Sequence, residues 1–411
     1  MLESFLLRLR RLSRRLVTRV ILIAALSLVS LLVATVFGRF IPDWLGDYFT
    51  TKSLDTILVT LASVMLTVTT FSLSVLTSSL QNTASSISHR GTFIMRTDTT
   101  VHGVLATFVG AFLFSLIGIV LRATPLMGEK ESVVLFMFTM VVVLLLVWSI
   151  IRWINHIEDL GALDSTLGGL QRRANTTLKM YSENPALGAV PADAVAISRS
   201  AEAPAAVSPR DGYVQVFYMD GLQKKAEQLN ATLTLAVQPG DYVTKGAPLI
   251  HVRPKSDTGA GDSDALDRDA IADLAEEIVI GNIRNFDQDP RFCISVISEI
   301  ASRALSPGVN DPQTAIDVIH RLGALLKRVA PLAAQNDTDA PEAQARFPDL
   351  RLAPVSTETL YRLSIDAIAH YAADAPEVNA AIDETLAMLA GASGPAGQRA
   401  AKQRLSARGR G

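Results

Sequence analysis

The chain has 411 residues, of which 49% are apolar, 19% charged and 6% aromatic. A mean hydropathy of +0.29 is too high, and the charge too sparse, for an ordinary soluble protein. The 38 basic and 40 acidic residues give a formal charge of −2, which excludes a generic nucleic-acid binder, and the single cysteine, Cys293, excludes a disulfide framework, a zinc ribbon and a CxxC redox pair.

Four apolar stretches, residues 20–37, 54–80, 101–121 and 132–153, match the roughly 20 helical residues needed to cross a hydrocarbon core. Arg8, Arg10, Arg11, Arg14, Arg15 and Arg19 precede the first. Arg90 and Arg96 separate the second from the third, and Arg152, Arg172, Arg173 and Lys179 follow the fourth. The two alternate loops hold only Arg39 with Lys52 and Arg122 with Lys130, so the positive-inside rule places both termini in the cytoplasm. Ser13-Arg14-Arg15-Leu16-Val17 loosely matches a twin-arginine export signal, but with three more spans following, a retained signal anchor is the better reading. No charged residue lies well inside a span, which argues against a pump, a proton antiporter or a voltage sensor.

The second span is unusual in holding 11 Ser or Thr among its 27 residues. Thr56, Thr60, Ser63, Thr67, Thr70, Ser74, Thr77 and Gln81 recur at alternating gaps of four and three, a mean of 3.5, which keeps them on one helix face. Two uses fit. The hydroxyls pack against neighbouring helices, with Thr107, Ala111, Ser115 and Gly118 of the third span as the receiving row, or several copies of the helix surround a water-filled path.

Beyond residue 153, apolar positions continue at helical spacing through Ile157, Leu160, Leu163, Leu167, Leu170, Ala174 and Leu178, predicting a stalk helix over 154–182 that docks on the cytoplasmic domain or pairs with another subunit. Residues 183–209 read as an Ala- and Pro-rich connector with a short strand near Val195–Ser198. A compact β module completes the segment 183–254. Its Gly212-Tyr213-Val214, then Pro239-Gly240-Asp241-Tyr242-Val243 and Lys245-Gly246-Ala247-Pro248-Leu249, resemble the half-barrel of biotinyl/lipoyl-type modules, with a short helix over Leu222–Gln228 between them. Lys245 stands in the wrong turn for a carrier lysine, so a structural or interaction barrel is expected. A flexible loop over 255–265 leads to a helical subdomain over 266–390, with helices near 266–280, 290–305, 312–329 and 357–390, the last broken near Pro376. Residues 391–411, with five basic residues and no acid, read as a disordered tail able to touch anionic lipid. The fold class is thus an α-helical membrane protein with a cytoplasmic α+β half.

The densest polar constellation comprises Arg284, Asp289, Arg303, Asn310 and Asp311. Glu299 and Arg303 stand four apart on one helix, Gly308 reads as the helix closure, and Asp311-Pro312 is a strong N-cap pair. Capping explains most of these residues; a pocket for a small anion beside a helix N-terminus is the alternative. Six scattered histidines lack metal-hydrolase spacing, and GxSxG, Walker A and GxGxxG patterns are absent, so no catalytic constellation, metal or cofactor is expected. Cys293 reads as a packing residue.

Phe71-Ser72-Leu73-Ser74-Val75, the two motifs of the β module, Gln288-Asp289, and Arg303 through Pro312 together resemble the bacterial predicted-membrane-protein family called domain of unknown function 2254, over residues 15–390. His89 and Asn285 depart from that pattern, where proline and threonine are expected. The resemblance implies a bacterial inner-membrane location and supplies no activity. The expected function is a non-enzymatic, oligomeric, channel-like component in the lipid bilayer. The rival is a membrane-anchored sensor or scaffold whose cytoplasmic half binds a protein or a small anionic ligand.

Overall fold

The computed structural model describes residues 16–37, 51–86, 99–124, 128–159, 163–193, 197, 200–255, 268–336, 345–392 and 394–409. The basic residues before Leu16, together with Arg39, His89, Arg90, Arg96 and the loop 256–265, lie outside them. The chain divides into two compact units, Met1–Ser165 and Thr166–Gly411.

Among the described residues the first unit contains four helices, α1 (Leu16–Phe37), α2 (Thr51–Ser86), α3 (Thr99–Arg122) and α4 (Glu129–Asp159). Three are long and apolar enough to cross a membrane, over Ser53–Ser79, Thr100–Arg122 and Glu131–Ile157. The four expected spans therefore reduce to three by this measure, because the apolar part of α1, Val20–Ala34, is shorter. Helix α1 buries a face of small residues, Ala24, Ser27, Ser30 and Ala34. A Cβ at Gly110 of α3 would lie 2.8 Å from Ile23 Cβ, so that glycine permits the close approach of α1 and α3. The unit's core is built from Leu54, Leu58 and Met65 of α2, Val104, Phe108 and Phe114 of α3, and Leu135, Val142 and Trp153 of α4. The outward faces carry exposed Leu28 and Leu32, Phe71 and Leu73, and Met137, Leu144 and Trp148, the pattern expected of helices bathed in lipid rather than water.

The second unit opens with α5 (Leu163–Glu183), which buries Leu167, Leu170, Ala174, Leu178 and Tyr181 within that unit. The helix expected over 154–182 is thus divided between the end of α4 and α5, residues 160–162 lying outside the described ones, and the Leu167–Leu178 face is used for docking within the second unit. Strands β1 (Ala189–Pro191), β8 (Phe347–Leu352), β4 (Ala231–Leu235), β6 (Pro248–Pro254) and β2 (Ala205–Val207) form a five-stranded sheet in that order. Strands β5 (Tyr242–Val243), β3 (Gly212–Phe217) and β7 (Ile278–Gly281) form a second sheet of three. The expected half-barrel is corrected here: its strands are divided between two open sheets, since β5 pairs with β3 while β4 pairs with β6. The strand expected near Val195–Ser198 lies outside the described residues except for Ile197; the strands on either side of it are β1 and β2.

Helix α6 (Met219–Gln228) covers β4 and β8. The helix expected over 266–280 is shorter, α7 (Arg268–Asp273), and the chain then turns through a 3-10 segment, Leu274–Glu277, into β7. Helices α8 (Pro290–Ala304) and α9 (Pro312–Asn336) pack with α10 (Thr357–Tyr361), a π turn over Arg362–Asp366, α11 (Ala367–Tyr371) and α12 (Pro376–Ala392). The break before Pro376 falls where a proline ends a helix. The tail expected to be disordered contains a further helix, α13 (Pro395–Arg408), packed on α9, α10 and α12.

Candidate functional site

The first candidate site is the face of α2. Thr60, Ser63, Thr67, Thr70, Ser74 and Thr77 are all exposed, as are Thr56 and Gln81. Leu54, Leu58, Met65 and Ser72 are buried, and at 100° per residue they stand on the opposite side of the helix. The third-span row does not receive the hydroxyls. Gly118 faces Leu58 instead, whose Cδ1 would stand 3.3 Å from an added Cβ, so the apolar face of α2 fills that groove.

Five of these hydroxyls donate back to carbonyls of their own helix: Thr60 to Thr56 O (2.7 Å), Ser63 to Thr60 O (3.2 Å), Thr67 to Ser63 O (3.1 Å), Thr70 to Leu66 O (3.0 Å) and Thr77 to Leu73 O (2.9 Å). Each proton is committed inward, and each oxygen keeps its acceptor capacity outward. The face is therefore uncharged yet electron-rich. At its start, Asp55 accepts from Arg122 Nε (2.7 Å) and Nη2 (3.0 Å), while Arg122 Nη1 donates to Ser132 Oγ (2.7 Å). This clamp ties the first turn of α2 to α3 and α4.

The second candidate site is the start of α8. Asp289 is the N-cap, its Oδ1 accepting from the Phe292 N–H (2.9 Å) ahead of Pro290 at the first helical position. Its Oδ2 accepts from Arg284 Nε (2.8 Å) and Nη2 (2.7 Å), and the guanidinium lies 4.9 Å from the Phe292 ring centroid. The side chain of Asp289 is only 2% exposed. Burial pushes its carboxyl up from the ordinary range, against the opposing pull of Arg284 and the Phe292 N–H. Gly240, at φ +92°, passes directly over this pair: an added Cβ would meet Asp289 Oδ2 at 1.9 Å and Arg284 Nη2 at 2.8 Å. Arg291 Nη2 donates to Pro239 O (2.7 Å) and Asp241 Oδ1 (2.8 Å), so the Pro239-Gly240-Asp241 turn is fastened to α8 from both sides.

Further bonds complete this joint. Gln288 extends the edge of β3 by accepting from the Phe217 N–H (2.8 Å) and donating to Phe217 O (3.2 Å). The Tyr181 hydroxyl donates to Gln288 O (2.9 Å) and Thr177 donates to Phe286 O, which anchors α5 to the same loop. Burial pushes the Cys293 thiol up to about 12, leaving it a protonated packing group. Arg284 and Asp289 are thus used by the fold itself, holding a turn, a strand edge and two helices together.

Arg303, Asn310 and Asp311 lie at the other end of α8, which is 15 residues and therefore about 22 Å long. The structure does not bring the five candidate residues together. Arg303 is exposed, and α8 stops at Ala304, before Gly308; the left-handed residue in the following loop is Asn310, at φ 49°. Asp311 caps α9, with Oδ1 accepting from the Thr314 N–H (3.0 Å) and Oδ2 from the Thr314 hydroxyl (2.6 Å). These bonds hold its carboxyl below the usual range.

Replacing Asp311 with Ala is expected to lower stability by about 1 kcal/mol, with Ser restoring most of it. A depressed carboxyl contributes above its unfolded value and loses that contribution as pH falls through the folded one. The deficit of the Ala variant is therefore expected to be full at neutral pH and to shrink in acid. Denaturant unfolding at a series of pH values measures both; a pH-independent deficit would contradict the carboxylate cap.

Comparison with known proteins bears on membership. No solved structure matches the chain. An uncharacterized protein of Mycobacterium bovis and one of Mycobacterium tuberculosis are each 36% identical over 148 residues, covering 36% of this chain and 26% of theirs. The chain therefore spans about a quarter of the length of the curated relatives it matches. The family model for the predicted membrane protein DUF2254 matches residues 13–388, nearly the whole chain, and the protein belongs to that family.

Proposed function

We propose that the protein is a non-enzymatic, oligomeric, channel-like component of the bacterial inner membrane, with α1 completing four spans, both ends cytoplasmic, and α2 lining a polar path between subunits. The exposed hydroxyl face of α2 carries this reading. Within one subunit it is the apolar side of α2 that meets α3 and α4, and the hydroxyl face of α2 is left outward. Its 3.5-residue repeat is the period at which like helices stay in register around a common axis. Water in such a path would hydrate the outward oxygens, and the absence of charge along the face would let small solutes pass without tight binding. Because the hydroxyl protons point inward, the lone pairs favour small cations over anions.

Liposomes holding the wild-type protein are expected to pass potassium faster than chloride, read as a reversal potential under a salt gradient. Replacing Thr67 and Thr70 with Leu should abolish this flux, whereas Thr→Ser at both positions should retain it. Wild-type liposomes as tight as empty ones would overturn the channel reading. Among the alternatives, the small-anion pocket is disfavoured by the separation of Arg284 from Arg303 along α8.

A further inference from the structure

The second candidate for interaction with a partner is the C-terminal helix α13. The segment 391–411 holds Arg399, Lys402, Arg404, Arg408 and Arg410 and no acidic residue. The side of α13 turned to the domain buries only Gly397, Ala400 and Ala401, which remove little apolar surface from water. Its small residues pack closely on α9, α10 and α12, and ionic contacts complete the seat. Arg404 reaches Glu358 (2.6 and 3.0 Å) and Asp366 (2.7 Å through both Nε and Nη2), and its guanidinium lies 5.2 Å from the Tyr361 ring centroid. Arg408 pairs with Asp383 and donates to Asn379 Oδ1 (2.7 Å).

These carboxylates are far from buried: the side chains of Glu358, Asp366 and Asp383 are 60%, 42% and 50% exposed. The arginines sit lower, Arg404 at 11% and Arg408 at 25%, and with the carboxylate side open to solvent these pairs weaken as salt rises. A strongly basic helix is therefore held in part by charge complementarity on a part-solvated acidic seat, with only small residues fully buried beneath it. Arg399 and Lys402, three apart on its outer side, are exposed while it is seated.

We propose that α13 is a reversible docking helix for an anionic lipid surface, parked on the acidic seat of Glu358, Asp366 and Asp383. Arg399 and Lys402 make the first contact with phosphate headgroups, and release of Arg404 and Arg408 then brings the whole cluster to the lipid. A cluster of four or more Lys or Arg on one helix is what anionic membranes attract, and this chain is already held at a membrane by its apolar helices. The occupant is lipid rather than a second protein because the outer side of α13 offers charge without a large apolar side chain to anchor a protein contact. This inference is independent of the channel reading.

A nitroxide on the S406C variant of the full-length protein reports the position of α13, since Ser406 is exposed and the native Cys293 is fully buried. In vesicles of phosphatidylcholine the label should report the seated helix. Adding phosphatidylglycerol should raise its accessibility to oxygen relative to a water-soluble nickel chelate, and high salt should reverse that shift. R399Q with K402Q, which keeps Arg404 and Arg408 opposite their carboxylates, should weaken the shift, and E358Q with D366N should strengthen it. Equal accessibility in both lipids, or a shift unaffected by R399Q and K402Q, would overturn the proposal. Movement on adding soluble inositol hexakisphosphate but not phosphatidylglycerol would overturn it in favour of a soluble polyanion.

Discussion

Replacement of Asp289 by Ala is expected to destabilise the second unit by about 3 kcal/mol, at the lower end of what breaking a buried ion pair costs because Arg284 retains some solvent. Both carboxylate oxygens are in use, one by Arg284 and one by the Phe292 N–H. Ala would leave a largely buried guanidinium without its counter-charge and an open donor in the first turn of α8. Asn keeps the cap oxygen but not the charge, so it should recover about 1 kcal/mol. Denaturant titration of the full-length protein in micelles measures the series. A loss for Ala no larger than that of the Asp311→Ala variant would show that the Arg284 contact contributes nothing beyond a cap.

The helices that position this joint were legible in the sequence where the chain supplies its own punctuation. Asp311-Pro312 gives the start of α9, Pro376 the break between α11 and α12, and Leu167, Leu170, Ala174 and Leu178 the docking face of α5. What was not legible depends on partners distant in the chain. Ile278–Gly281 is a short apolar run that fits a helix or a strand equally well, and it is a strand because β3, more than 60 residues earlier, offers it an edge. Phe347–Leu352 alternates only over Asp349-Leu350-Arg351-Leu352, too short a run after Pro348 to declare itself, and it is a strand because β1 and β4 flank it. Helix α13 has the composition of a disordered tail, and its order comes from carboxylates on α10, the π turn and α12.

The same logic separates the two candidate sites. The seam of α2 is periodic, so its common face was legible residue by residue; its outward orientation was not, because that follows from which face of α2 fits the groove beside Gly118. In the sequence the polar cluster reads as one group because Arg284 and Arg303 lie 19 positions apart. In the fold, α8 stands between them as a spacer. The partners of Arg284 and Asp289 that matter most, Gly240 and the turn held by Arg291, are some 40 to 50 residues away in the chain. In the sequence only the Pro239-Gly240-Asp241 motif points toward them, and it specifies a turn without specifying what the turn touches.

That contact leads to the second large effect. Gly240→Ala is expected to cost about 3 kcal/mol, combining a left-handed backbone unsuited to an L side chain with overpacking against a charged pair. The Cβ would sit 1.9 Å from Asp289 Oδ2, so the carboxylate must withdraw from Arg284, from the Phe292 N–H or from both. Two replacements that share this partner cannot be additive. In an Asp289→Ala background the two closest obstacles to a methyl at position 240, Asp289 Oδ2 and Cγ, are gone, and the second substitution should cost about 1 kcal/mol less than it does alone, leaving mainly the backbone strain. Denaturant unfolding of the wild type, both single variants and the double variant closes the cycle. Strict additivity would mean that Gly240 is required only for its φ, and that the Pro239–Asp241 turn does not bear on the Arg284–Asp289 pair; a positive coupling identifies the contact between turn and ion pair as the joint that locks β3 and β5 to α8.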